Sequence, residues 1–276
     1  MKKLIGLTLL SAAIAGCATS PTGRNQFMLV SPQSAIVESE KAYASTMVEL
    51  DKESKLITDP AWVKRISTIT GRLVTEAVKM EPSTKSWKWS VGIIDDPQTL
   101  NAWCMAGGRM AIYSGIVTQL KLTDDEIAQI MGHEISHALA NHTAERMSRA
   151  VAMNAGLMAT AVITDNNGLA MTGTAMAAKL ALELPNSRTA ESEADRIGIE
   201  LATRAGYKPE AAVSLWNKMK QAGGSGGPQF LSTHPSPDNR ATTLGKLGED
   251  MMKLNPTLKK APVTPVEIIT NADQLM

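Results

Sequence analysis

The stretch MGHEISHALANH, residues 131–142, decides the reading of this chain, because three histidines and a glutamate fall within ten residues. His133 and His137 are four positions apart, so on a helix they stand one turn apart on one face and both imidazoles reach a single ion. Glu134 lies about 100° round the wheel. There it sits beside the ion, placed to take a proton from water and pass it to a leaving amine. A five-residue pattern also recurs by chance, and a polar stripe on a surface helix would satisfy it. The flanking residues Ile130, Met131, Ile135, Ala138 and Leu139 oppose that, since they predict a mostly buried helix. Burying two imidazoles and a carboxylate without partners is costly. If the helix continues unbroken, His142 stands about 180° from His133, pointing elsewhere as a surface or packing residue.

Two imidazoles leave a tetrahedral zinc ion short of a third protein ligand, and ESEAD, residues 191–195, supplies a candidate. Glu191 and Asp195 share a helical face at i, i+4. Glu191 can ligate the ion while Asp195 accepts the free N–H of a ligating imidazole and fixes its tautomer. The plainer reading is an acidic first turn that complements the helix dipole, and Glu193 is assigned only that role.

Composition narrows the class. The 276 residues carry a net charge of +1, and 43% are hydrophobic, enough for a substantial core. With no basic block and only five Trp, three Tyr and two Phe, a nucleic-acid partner is not expected. Sixteen Met make the core pliable.

The N-terminus reads as a targeting signal: a basic MKK, the apolar run LIGLTLLSAAIA, then IAGC at residues 14–17. Small residues before a cysteine resemble the lipobox of bacterial lipoproteins, with residues 1–16 as signal peptide and Cys17 as the lipidated first mature residue. An ordinary signal peptide with a chance cysteine is the alternative. Ala18 follows, not the Asp associated with inner-membrane retention, so the resemblance implies an outer-membrane lipid anchor facing the periplasm. Multiple acyl chains would hold it firmly. Cys104 then has no internal partner and is read as a buried thiol, an intermolecular disulfide being the alternative.

Along the chain, residues 17–25 read as a tether and QFMLV (26–30) as a strand. Helices are predicted over 32–55 and, opened by Pro60, over 61–80. SWKWSVGIID alternates as a strand, and Gly107–Gly108 between two apolar runs marks a β-hairpin. Thr123 and Glu126 form a capping box for a single long helix over 123–153. The Ala/Met-rich residues 150–184 suggest a helical hairpin lidding the cleft. Helices follow from Arg188 and Lys208, then a glycine-rich loop, then a last short helix with Ser236 and Pro237 at its N-cap and N1. The catalytic domain is placed at 26–254, with 255–276 a weakly structured tail.

Taken together, HEISHALANH, ESEADRIG and STHPSPDNR, preceded by NAWCMAGGRMAIYSGI, resemble the HtpX and CAAX-prenyl-protease family of zinc metallopeptidases, metallopeptidase family 48. The periplasmic lipoprotein branch of LoiP, YcaL and BepA type is the nearest in pattern. The match runs from about residue 26 to about residue 247. The resemblance implies an α+β, mainly helical, gluzincin-type domain with a small β-sheet whose edge strand lies beside the HExxH helix. It implies one Zn2+ held by His133, His137 and Glu191, with Glu134 and Asp195 in the catalytic machinery. It also draws in His234, either stabilising a developing oxyanion or filling a fourth ligand position and silencing the enzyme. The segment Asn101–Met105 would hold extended polypeptide by backbone hydrogen bonds. The substrates implied are misfolded or misassembled envelope polypeptides, with outer-membrane assembly machinery as a further partner. A latent, protease-shaped chaperone or assembly factor is the rival reading. The long membrane-spanning helices and the tetratricopeptide repeats of other branches are not part of the pattern here.

Overall fold

A computed structural model describes residues 17–164, 187–222, 229–235 and 239–275. Four strands form a mixed sheet in the order β4-β5-β3-β6: β3 (Ser90–Ile94), β4 (Ala102–Met105), β5 (Arg109–Tyr113) and β6 (Glu267–Ile269). The hairpin is where the glycines place it. β4 and β5 pair antiparallel, and Gly107 and Gly108 adopt φ of +83° and +78°, which side chains rarely tolerate. β3 runs parallel to both β5 and β6. β4 is thus an edge strand.

Side chains on this sheet alternate between two apolar layers, as a period of two requires. Val91, Ile93, Ala102, Cys104, Met110 and Ile112 face a layer that includes α2 (Pro60–Met80) and the HExxH helix. Ile94, Trp103, Met105 and Ala111 face Tyr43 and Met47 of α1 (Pro32–Lys52). Ser31 caps α1 by accepting from the Ser34 N–H, and Asp59 caps α2 by accepting from Ala61 and Trp62, each ahead of a proline at N1. After β5 comes a short α3 (Ser114–Gln119), where the sequence reads as a continued apolar run.

The HExxH helix is α4 (Asp124–Leu139), and the expected Thr123–Glu126 capping box is present. The single helix expected over 123–153 is two. Asn141 takes φ +54°, a left-handed conformation that Asn tolerates better than most residues. α5 (His142–Thr164) starts afresh, with the Glu145 N–H bonding to Asn141 O at 3.0 Å. The second half of the expected 150–184 hairpin lies outside the described residues. α6 (Arg188–Arg204) follows with Ser187 as its N-cap, then α7 (Glu210–Ala222), a short α8 (Gln229–Thr233) inside the expected glycine-rich loop, and α9 (Arg240–Met251). The N-cap of α9 is Asn239, so the expected Ser236–Pro237 start is replaced by a later one; residues 236–238 lie outside the described residues.

Two segments read as loose are folded. The expected tether forms β1 (Cys17–Thr19), paired antiparallel with β2 (Asn25–Phe27), which is shorter than the expected 26–30 strand. The expected weak tail supplies β6, whose Ile269 is fully buried. Its run EII is too short to announce itself without the β3 partner that satisfies its backbone. Among the described residues no helix is long and apolar enough to cross a membrane.

Candidate metal centre

α4 and α6 pack at glycine contacts. A Cβ on Gly198 would come within 2.9 Å of both His133 N and Cα, and one on Gly132 within 3.0 Å of Gly198 O. That approach brings Glu191 and Asp195, two turns and one turn before Gly198 on α6, against the HExxH face. Glu191 Oε2 lies 3.3 Å from His133 Nε2, and Glu191 Oε1 3.4 Å from His137 Nε2. The two Nε2 atoms are 3.1 Å apart. His234, just past α8, completes the group, its Nδ1 standing 3.1 Å from Glu191 Oε1 and 3.3 Å from His133 Nε2. Phe230 stacks on the His234 ring at 4.3 Å, and the Phe230 N–H donates to Leu100 O just before β4. All four residues are buried.

The charges are shaped by their surroundings. Burial opposes ionisation of Glu191, but His234, His137 and His133 outweigh it and hold the carboxyl well below the usual range. Burial likewise opposes charge on His133, yet Asp195 and Glu191 push it up to about 9. His137 is driven well below its ordinary value, first by burial and then by the neighbouring imidazoles, against Glu191. Burial raises Glu134. Among the described residues its Oε1 has no hydrogen-bond partner, and it faces His234 Nε2 at 3.4 Å. A buried carboxylate oxygen left open in this way is suited to hold a water.

The donor set fits a metal. Ligand atoms about 2.0–2.1 Å from a tetrahedral ion lie about 3.3–3.4 Å from one another. The five separations given above are 3.1–3.4 Å, and all four donors lie within 4.8 Å of one another. Three imidazole nitrogens and a carboxylate, with their lone pairs turned inward, converge closely enough to share one cation.

Behind the ligands stand polar partners. Asp195 Oδ1 is 3.1 Å from His133 Nδ1 and 2.5 Å from Arg240 Nη2, whose guanidinium lies over the Trp216 ring at 3.9 Å. His142 is buried, which corrects the surface alternative and the expectation that it points elsewhere, and leaves the packing alternative. The break at Asn141 swings its Nδ1 to 2.8 Å from His137 Nδ1, outside the ligand group but in contact with it. Glu193 is also buried and does more than complement a dipole: its Oε2 is 3.0 Å from His142 Nε2. Arg24, Arg240 and Glu193 are the site residues that sequence reasoning missed. Glu193 lies in ESEADRIG and Arg240 in STHPSPDNR, but no spacing rule points to either role, and Arg24 lies in no quoted motif.

The edge strand lies where the site needs it. β4 packs on α4, and Cys104 is a buried free thiol whose pKa is raised by burial and by the Glu134 charge.

The model of peptidase family M48 matches residues 60–247. The chain belongs to peptidase family M48. Members of M48 are metal-dependent peptidases. Among similar proteins, the mitochondrial metalloendopeptidase OMA1 of Saccharomyces cerevisiae is 31% identical over 81% of this chain and 66% of its own length. Metalloendopeptidase OMA1 of Bos taurus is 29% identical, over 88% of this chain and 48% of its own length. The putative beta-barrel assembly-enhancing protease of Vibrio cholerae is 26% identical, over 82% and 46%. The chain spans about half the length of most of the curated relatives it matches.

Proposed function

We propose that this M48 chain is a zinc endopeptidase of the bacterial cell envelope. It would be anchored to the outer membrane through Cys17, facing the periplasm, and would hydrolyse misfolded or misassembled envelope polypeptides. The observation that carries the zinc reading is the group of four buried donors within 4.8 Å of one another, with Glu134 beside it. His133, His137 and Glu191 would hold the ion. Zinc, when bound, polarises a carbonyl and makes a water acidic near neutral pH. Glu134, its pKa raised by burial, receives the proton and returns it to the leaving amine. Asp195 orients His133 through Nδ1. The outer edge of β4, paired with no further strand among the described residues, would align an extended segment by backbone hydrogen bonds, which favours unfolded stretches over a particular sequence. The envelope location is supported by the basic, apolar and small-residue order ending at Cys17, and the substrate class by the name of the Vibrio relative.

A second reading follows from His234. Four protein donors make the closed arrangement of structural zinc sites, whereas catalytic sites keep one position open. With His234 Nδ1 in the group, the chain is drawn in a latent state, favouring a protease-shaped chaperone or assembly factor unless that imidazole leaves.

One set of measurements separates these: zinc content and casein hydrolysis, with and without chelator, for the purified chain, Glu134→Gln and His234→Ala. Glu134→Gln is expected to retain zinc and lose about 10²–10⁴-fold in turnover. Full turnover in that variant ends the hydrolytic mechanism. Faster hydrolysis by His234→Ala than by wild type supports latency, and slower hydrolysis supports a role at the oxyanion.

A further inference from the structure

We propose that Glu193, His142 and Arg24 are positioning residues for His137, so that the N-terminal strap of residues 20–26 helps set the affinity of the metal site. The proposal rests on the zinc reading and goes beyond it by placing part of the control of the site in a segment that touches no ligand.

The geometry allows a short chain of deductions. His137 and His142 meet Nδ1 to Nδ1 at 2.8 Å, so one hydrogen is shared between two like atoms. His142 Nε2 faces Glu193 Oε2 at 3.0 Å. A carboxylate only accepts, so this contact calls for the hydrogen of a neutral His142 to be on Nε2. His142 Nδ1 is then bare and accepts from His137 Nδ1–H. That leaves His137 Nε2 with its lone pair turned toward Glu191 and His133, as a ligand must have it. The opposite tautomer would put an N–H into the donor group and exclude a cation. The identity of the atom that binds metal is therefore set two residues away, by the charge on Glu193.

The strap is what holds that charge in place. Arg24 Nε donates to Glu193 Oε2 at 2.7 Å, and the Ser20 and Thr22 hydroxyls donate to Glu193 Oε1. The other edge of the Arg24 guanidinium grips Glu145 at 2.9 and 2.6 Å. Gln26 bonds Glu145 and, at 2.7 Å, the carbonyl of Ala140 at the end of the HExxH helix. Ser20, Gln26, Glu145 and Glu193 are all at most 5% exposed. Buried charges cost more than apolar packing of the same volume. Spending them on a loop against α5 and α6 makes sense if they orient something.

The test uses the full chain with zinc itself as the probe, competed against a chromophoric chelator. Glu193→Gln is expected to weaken zinc binding about 10–100-fold, as loss of such outer partners does. Arg24→Ala, at the rim of the network, should weaken it about 10-fold, and Arg24→Lys should recover part of the loss. Cobalt-substituted Arg24→Ala should show a shifted visible absorption spectrum. Melting of the metal-free proteins checks folding; if Glu193→Gln does not fold, Arg24→Ala and Arg24→Lys decide. Zinc affinity within twofold of wild type in folded Arg24→Ala, with an unchanged cobalt spectrum, overturns the relay and leaves the hydrolase reading standing. A wild-type chain that binds no zinc overturns both.

Discussion

His133 and His137 do the same work one turn apart, yet they are backed differently. His133 leans directly on the carboxylate of Asp195, which sits one turn past Glu191 on the same helix. His137 leans on a second imidazole, and only through it on Glu193 and the N-terminal strap. One arm is local: a single helix brings Glu191 and the carboxylate that faces His133 together. The other is assembled from β1–β2, α4, α5 and α6. A compact arm depends on one interhelical distance, whereas a dispersed one depends on several loops at once.

If that contrast is right, the direct arm should be the costlier to cut. Asp195→Ala is expected to weaken zinc binding about 100-fold, or about 2.7 kcal/mol, because it frees His133 to rotate and strands the Arg240 guanidinium. Chelator competition measures it, and an effect no larger than that of Arg24→Ala would erase the distinction between the arms.

Moving the helices should come next. Gly198→Ala would press a methyl group on the backbone of His133, which cannot yield as a flexible side chain would. A loss of about 2 kcal/mol in stability is expected from such overpacking, read by denaturant melting, together with weaker zinc binding. Unchanged stability would mean that α4 and α6 are not held together as closely as the Gly132–Gly198 contact implies.

The smallest effect belongs to the hinge of the dispersed arm. Asn141→Ala places an alanine in the left-handed region at a cost of about 1 kcal/mol, whereas Asn141→Gly should be close to neutral in melting experiments. If alanine is tolerated as well as glycine, the break before His142 does not depend on that backbone conformation.

The same contrast explains what could be read from the sequence. HExxH on a buried helix, ExxxD on another, the Thr123–Glu126 box and the Gly107–Gly108 hairpin are local patterns with a fixed geometric meaning, and the structure has each of them. His142 was misplaced because the helical wheel was carried across Asn141, where one left-handed residue resets the phase. Glu193 reads as an ordinary acidic first turn because its partners are more than fifty residues away or, for Arg24, in a segment taken for a tether. The tail strand β6 was missed for the related reason that a three-residue strand has no signal apart from its neighbour. His234 sits in a stretch with no periodicity at all, so only resemblance could point to it.

The polar groups around the site come from points as distant as Ser20 and Arg240. A chain still emerging from the ribosome has made the HExxH turn long before its last arginine exists. The Asp195–Arg240 contact forms only once α9 has been made and has docked, so the outermost support of the group is added well after its first turn.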